Sequence, residues 1–193
     1  MTSRSRVETS SSTRKLLFVL GACAFFLLLA ASPAHAKIEE KDMPCEEGLC
    51  HKWWPKLPEV KGWHQEDASE LNISAMAPDG FNLKDCKTVL YGNAVHKKSV
   101  PANKTMADFI ENDKKGFSNA SVTEESASNT KDGQEIKVYS FAPKDKEGKW
   151  ERVGYGQEGD FYLIFANVAQ TAKDLEKSKD AFKTLIESYK SKP

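Results

Sequence analysis

Residues 150–170 read WERVGYGQEGDFYLIFANVAQ. Two strand-forming stretches, Trp150–Gln157 and Phe161–Val168, flank Glu158-Gly159-Asp160, a tight turn by residue chemistry. The second stretch, FYLIFANV, is apolar on both faces, which places it centrally in a sheet rather than at an edge. A central strand of this kind needs neighbours on both sides and cover above and below.

Both requirements are met by the flanking sequence. On the C-terminal side, Thr171-Ala172-Lys173-Asp174 resembles a capping box with Asp in place of the usual Glu. Leu175, Ser178, Ala181, Phe182, Leu185, Ile186 and Tyr189 then recur at helical spacing, with Lys173, Lys177, Lys179, Lys183 and Lys190 mostly off that stripe. The spacing predicts one amphipathic helix packed on the sheet. On the N-terminal side, Glu135–Phe141 alternates Ile136 and Val138 with Tyr139 and Phe141, between a Lys131-Asp132-Gly133 turn and a charged turn at 143–149. Ser121–Ser128 is polar and reads as an edge strand. Before it, Thr105-Met106-Ala107-Asp108 opens a second helix through Met106, Phe109, Ile110 and Asp113, ending near Gly116. Leu71–Ala77 and Thr88–His96 are two further strands, the first followed by the turn Ala77-Pro78-Asp79-Gly80.

The predicted order is therefore β-β-α-β-β-β-β-α. It describes an α+β domain, an α/β/α sandwich around a mainly antiparallel six-stranded sheet. This order, together with segment 150–170 and the amphipathic helix after it, resembles the PsbP-like fold family. That family comprises extrinsic photosystem II lumenal proteins, a nuclear Ran-binding relative and exported bacterial proteins of unknown role. The resemblance covers roughly Leu71–Tyr189 and implies a mostly non-enzymatic protein that acts by docking to partners. It carries over no functional residue, and fold alone does not decide function.

The N-terminal 36 residues have the three parts of a secretory signal: Arg4, Arg6, Arg14 and Lys15, an uncharged run from Leu16 to Ala31, and the small-residue pattern Ala34-His35-Ala36. Cleavage is expected between Ala36 and Lys37, giving a periplasmic or secreted protein with no stable membrane span. An uncleaved N-terminal anchor is the alternative, although the run is shorter than the roughly 20 residues of a spanning helix. Leu20-Gly21-Ala22-Cys23 resembles a lipobox, but the apolar run continues past Cys23. Removal of residues 1–36 leaves 157 of the 193 residues, enough for one domain, with 24 basic against 27 acidic side chains. That balance offers nothing to nucleic acid. GxxxxGK[ST] is absent, and no cofactor is expected.

Lys37–Glu70 lacks a sustained period and carries Pro44, Pro55 and Pro58, so it reads as an irregular arm ahead of a domain at 71–193. Its apolar side chains are Trp53, Trp54, Leu57, Val60 and Trp63. They either pin the arm to the domain or form a partner-contact patch centred on Trp53, Trp54 and Trp63. Cys45 and Cys50 are the preferred disulfide, closing over Gly48, with Cys50–Cys86 as the rival; spacing does not decide. Cys45, Cys50 and His51, with His64 or His96 as a fourth ligand, are also a conceivable metal set, but C-x4-C-H is not a standard zinc spacing. The missing C-x-x-C argues against a redox couple. His64, beside Glu66 and Asp67, has the makings of a general base without an assignable nucleophile. Asn72, Asn103 and Asn119 begin N-x-[ST] triplets. Tyr91, Tyr139, Tyr155 and Phe161 are expected in the core, with a ligand groove as the alternative.

No catalytic, cofactor or metal residues stand out. The expected function is an exported, non-enzymatic binding or interaction module whose partner is an unknown protein or envelope component. The alternative is a metal-dependent or hydrolytic enzyme using His51, His64 and His96.

Overall fold

A computed structural model describes residues 38–45, 48–68, 71, 73–145 and 148–191, with backbone alone at positions 43 and 45. The predicted signal, Ala36, Lys37 and Asn72 lie outside the described residues. The strands are β1 (Ile38–Cys45), β2 (Gly48–Pro55), β3 (Trp63–Glu66), β4 (Ser74–Pro78), β5 (Thr88–His96), β6 (Ala120–Glu124), β7 (Ser128–Asn129), β8 (Glu135–Pro143), β9 (Trp150–Glu158) and β10 (Phe161–Ala169). The helices are α1 (Met106–Gly116), α2 (Ala172–Lys177) and α3 (Lys179–Ser188).

β9 and β10 form the expected hairpin, turning at Gly159, whose φ of 53° lies in the left-handed region that favours glycine. β10 is central: it pairs with β5 on its other side, in the order β3-β4-β5-β10-β9-β8-β6, while β7 pairs with β8. All these pairings are antiparallel.

The six-stranded α/β/α sandwich is not what forms. Among the described residues the fold is mainly β, with 46% strand and 21% helix, in an eight-stranded sheet plus a separate two-stranded one. Two misreadings account for the difference. The stretch expected to be an irregular arm supplies three strands, β1, β2 and β3, and β3 joins the main sheet. Charged residues at 39–42, with Pro44 and Pro55, hide the period of β1 and β2, because the described side chains of this hairpin are mostly exposed or half-buried. The polar stretch at 121–128 divides into β6 and β7. Leu71 precedes β4 in a turn and is exposed, not part of the core.

Two apolar clusters lie on opposite faces of the sheet. On one face, Leu90, Ala94, Ile136, Val138, Leu163 and Phe165 meet Phe182, Leu185 and Ile186 of α3 and Leu57 and Val60 of the arm. On the other, Tyr139, Phe141, Val153, Tyr155 and Tyr162 meet Phe109 and Ile110 of α1. Phe109 stacks on Tyr162 with ring centroids 4.4 Å apart. Tyr139 and Tyr155 are core residues; Tyr91 and Phe161 are half-buried beside it.

Glycines make the first face possible. Gly92, Phe165 and Gly154 lie in one cross-strand row. A Cβ on Gly92 would come within 2.7 Å of both Pro55 Cγ and Leu57 Cδ2. A Cβ on Gly154 would lie 2.9 Å from Ile136 Cγ2 and 3.1 Å from Ile186 Cδ1. The arm and α3 thus settle on bare backbone either side of Phe165.

The capping box of α1 forms as expected, with Thr105 accepting from the Asp108 N–H and Asp108 accepting from the Thr105 N–H. The single C-terminal helix does not form as one rod. It divides at Ser178, whose buried Oγ accepts from the Asn167 side-chain N–H at 2.8 Å and lies within hydrogen-bond reach of the Asp174 and Leu175 carbonyls. Local bonding of this kind competes with the helical ladder. Beside it lies Arg152, 5% exposed. Its Nε donates to both carboxylate oxygens of Glu125 at 2.9 and 3.0 Å, and Nη1 and Nη2 reach Leu175 O and Glu176 Oε2, each at 3.4 Å.

Gly92→Ala should lower unfolding free energy by about 1–3 kcal/mol through overpacking. Gly116→Ala, where an added Cβ has nothing within 4 Å, should not. Equilibrium urea unfolding of both variants checks this.

Burial alone would raise the Glu125 carboxyl, but the Ser140 hydroxyl and the Arg152 guanidinium outweigh it and hold it below the ordinary range. Its stabilising contribution is present above the unfolded pKa of roughly 4.3 and is lost as pH falls through the folded value. On the opposite face, burial pushes up Asp113, which accepts from Tyr155 Oη at 2.6 Å. Burial, and then the Asp113 charge, push up Glu151. These acids contribute stability at low pH that is lost as pH rises through their folded values. Relative to wild type, Asp113→Asn should therefore gain Tm as pH is raised from about 4 to about 7. The deficit of Glu125→Gln should shrink as pH falls below about 4. Thermal melts across this range decide both.

Candidate functional site

The β1–β2 hairpin brings together most of the chemistry that the sequence singled out. Its register sets Ile38 opposite Pro55, Glu40 opposite Trp53 and Asp42 opposite His51. Strand alternation puts these six residues on one face. Exposure grades along that face: Pro55 is buried, Trp53 half-buried and His51 exposed. Trp53 is the pivot. Its ring lies 5.5 Å from His96 and 5.8 Å from Phe161, which are edge-to-face with each other at 4.9 Å. On its outer side it stacks on His51 at 6.0 Å with the planes 28° apart. His96 is the last residue of β5, and its Nδ1 accepts from the Lys98 N–H at 3.0 Å. One ladder of rings therefore runs from the sheet to the hairpin's exposed end.

At that end two carboxylates converge on one nitrogen. His51 Nδ1 lies 2.5 Å from Asp42 Oδ1 and 3.6 Å from Glu40 Oε1. The opposite hairpin face, carrying Glu39, Lys41, Lys52 and Trp54, has a different character. Trp54 Nε1 donates to Glu39 Oε2 at 2.9 Å. The indole then forms one wall of an open cleft of about 390 Å³ between the hairpin and the sheet edge, with Lys41, Gln65, Glu66 and Asp67 among its lining. An aromatic wall with charges of both signs suits a polar or zwitterionic contact.

The other residues singled out by sequence do not join this site. The three histidines do not form one cluster: His51 and His96 flank Trp53, while His64 on β3 lies between Glu66 (Nε2, 3.3 Å) and Asp79 (Nδ1, 3.4 Å). Trp63 is half-buried and packs against the core beneath the arm, so of the three tryptophans Trp54 is the one presented to the cleft. Cys86 is a free, buried thiol pushed up mainly by burial, which excludes a Cys50–Cys86 bridge. The side chain of Cys45 lies outside the described residues. Asn103 is buried, which disfavours glycosylation there, and the Asn119 side chain donates to Asp145. Glu40 and Asp42 were missed by sequence reading. Their signal was weak: an i, i+2 acidic pair gains meaning only once its strand is paired with the one bearing His51.

Comparison with known proteins finds no matching family model and no match among curated proteins. Among the described residues, no helix is long and apolar enough to cross a membrane.

Because Trp53 anchors the hairpin, Trp53→Ala should release it while the sheet survives. Trypsin should then cut after Lys41 and Lys52 at least about tenfold faster, local opening having become easier. Trp54→Ala should leave those rates unchanged. Limited proteolysis followed by mass spectrometry distinguishes the two.

Proposed function

We propose that the chain is an exported, non-enzymatic binding module whose contact surface is the Trp54 cleft at the hairpin. The observation that carries this reading is an indole fixed by Glu39 yet kept out of the core, walling an open hollow. Tryptophan in that setting offers a large amphipathic contact at little ordering cost. The rest of the fold acts as a rigid support: the ring ladder from Phe161 to His51 holds one face of the hairpin, leaving Trp54 on the other. The basic leader, apolar run and Ala34-His35-Ala36 pattern support export, and an oxidising compartment would favour a Cys45–Cys50 bridge across the hairpin. Kinship with PsbP-like proteins belongs to the same proposal, resting on segment 150–170 and the helical stretch after it.

The test uses a photo-crosslinking residue placed at position 54, with the protein expressed from its full reading frame in a bacterial host. The expected result is a mature N-terminus at Lys37 in the periplasmic fraction and a discrete crosslinked product. Competition by the wild-type protein, but not by Trp54→Ala, should remove that product. A cytosolic protein still beginning at Met1 would overturn export. A crosslink pattern that both competitors suppress equally would overturn the cleft.

A further inference from the structure

We infer that Glu40, Asp42 and His51 form a site for one divalent transition-metal ion of the zinc class at the exposed end of the β1–β2 hairpin. Their ligand atoms, one imidazole nitrogen and two carboxylate oxygens, all lie within 4.8 Å of one another. The arrangement differs in kind from that at His64. There the two carboxylates address different ring nitrogens, Nε2 for Glu66 and Nδ1 for Asp79, and so flank the ring. At His51 both carboxylates approach Nδ1, so the three donor atoms converge.

The backbone explains why the donors meet. Asp42 is directly opposite His51, and Glu40 is two residues along the same strand, on the same face. Lys41 and Lys52 alternate to the other face, so no lysine of the hairpin shares the donors' side. The His51 ring is steadied by stacking on Trp53, itself held by His96 and Phe161. Supports of this kind keep a ligand oriented.

The donor chemistry selects the ion. Calcium and magnesium want all-oxygen shells of six or more ligands, whereas imidazole with carboxylate suits zinc and its neighbours. Three protein ligands leave a fourth tetrahedral position for water or for a donor from elsewhere. None of this rests on the Trp54 cleft: the two sites occupy opposite faces of the hairpin.

The test is calorimetric titration of zinc chloride into the purified full chain in chelator-treated buffer at pH 7.5. Nitrogen-15 spectra of the histidine rings are followed in parallel. One ion should bind per chain, with His51 ring resonances shifting and those of His64 and His96 unmoved. Asp42→Asn and His51→Ala should each weaken binding at least about tenfold, the least expected for loss of a ligand. His64→Ala should stay within about twofold, as a distant and independent site. The ring spectra of the wild type keep the test decisive even if a variant misfolds. No heat and no His51 shift at millimolar zinc would overturn the site. So would binding that survives His51→Ala, or that is lost in Cys50→Ser while persisting in Asp42→Asn.

Discussion

Two glycines on either side of Phe165 let one face of the sheet hold two different covers. Gly92 and Gly154 are its cross-strand neighbours on β5 and β9, and neither presents a side chain to the cluster. Pro55 and Leu57 of the arm descend over Gly92, while Phe182 and Ile186 of α3 descend over Gly154. A methyl group at either position would collide with what lies above. Phe165 is fully buried between the two approaches. The position of the arm, and hence of the hairpin it carries, depends on that bare backbone.

The two faces are finished by different chemistry. The face beneath α1 is largely aromatic, with Tyr155 donating to Asp113 and Tyr162 to the Asn103 carbonyl. The opposite face buries a charge. Arg152 is satisfied by Glu125, Glu176 and the Leu175 carbonyl, and the neighbouring Asn167–Ser178 pair interrupts the C-terminal helix at the place where Leu175 O is needed. Removing one partner from such a set leaves an unpaired buried charge, which costs more than the set contributes when whole. The break between α2 and α3 is thus a consequence of satisfying polar groups, not of poor helix propensity.

The hairpin has two functional characters because a strand alternates. Trp53 and Trp54 are adjacent in sequence but point to opposite faces: one indole is anchored in the ring ladder and the other walls the cleft. The same alternation sends Glu40 and Asp42 toward His51 and sends Lys41 away. A covered sheet supplies the rigidity, and the small two-stranded sheet displays the chemistry.

Much of the fold was legible because its signals are local. β5 was read with its bounds intact, the β9–β10 hairpin followed from strand-forming residues around Gly159, and Thr105 and Thr171 were recognised as helix caps from the residues just after them. Periods of 2 and 3.6 and cap chemistry reside in a few neighbouring residues. Strands β1 to β3 were not legible, since strands with little burial have no reason to alternate apolar with polar side chains. Nor was the break at Ser178, which depends on Asn167 and Arg152 from other strands. By itself the sequence determined element type wherever one face is buried, together with the tight turns and the caps. Only the tertiary structure decided which strands pair and in what register, because register is a relation between distant segments. It is that relation which places Glu40 and Asp42 against His51 and leaves His64 on its own strand with partners of its own.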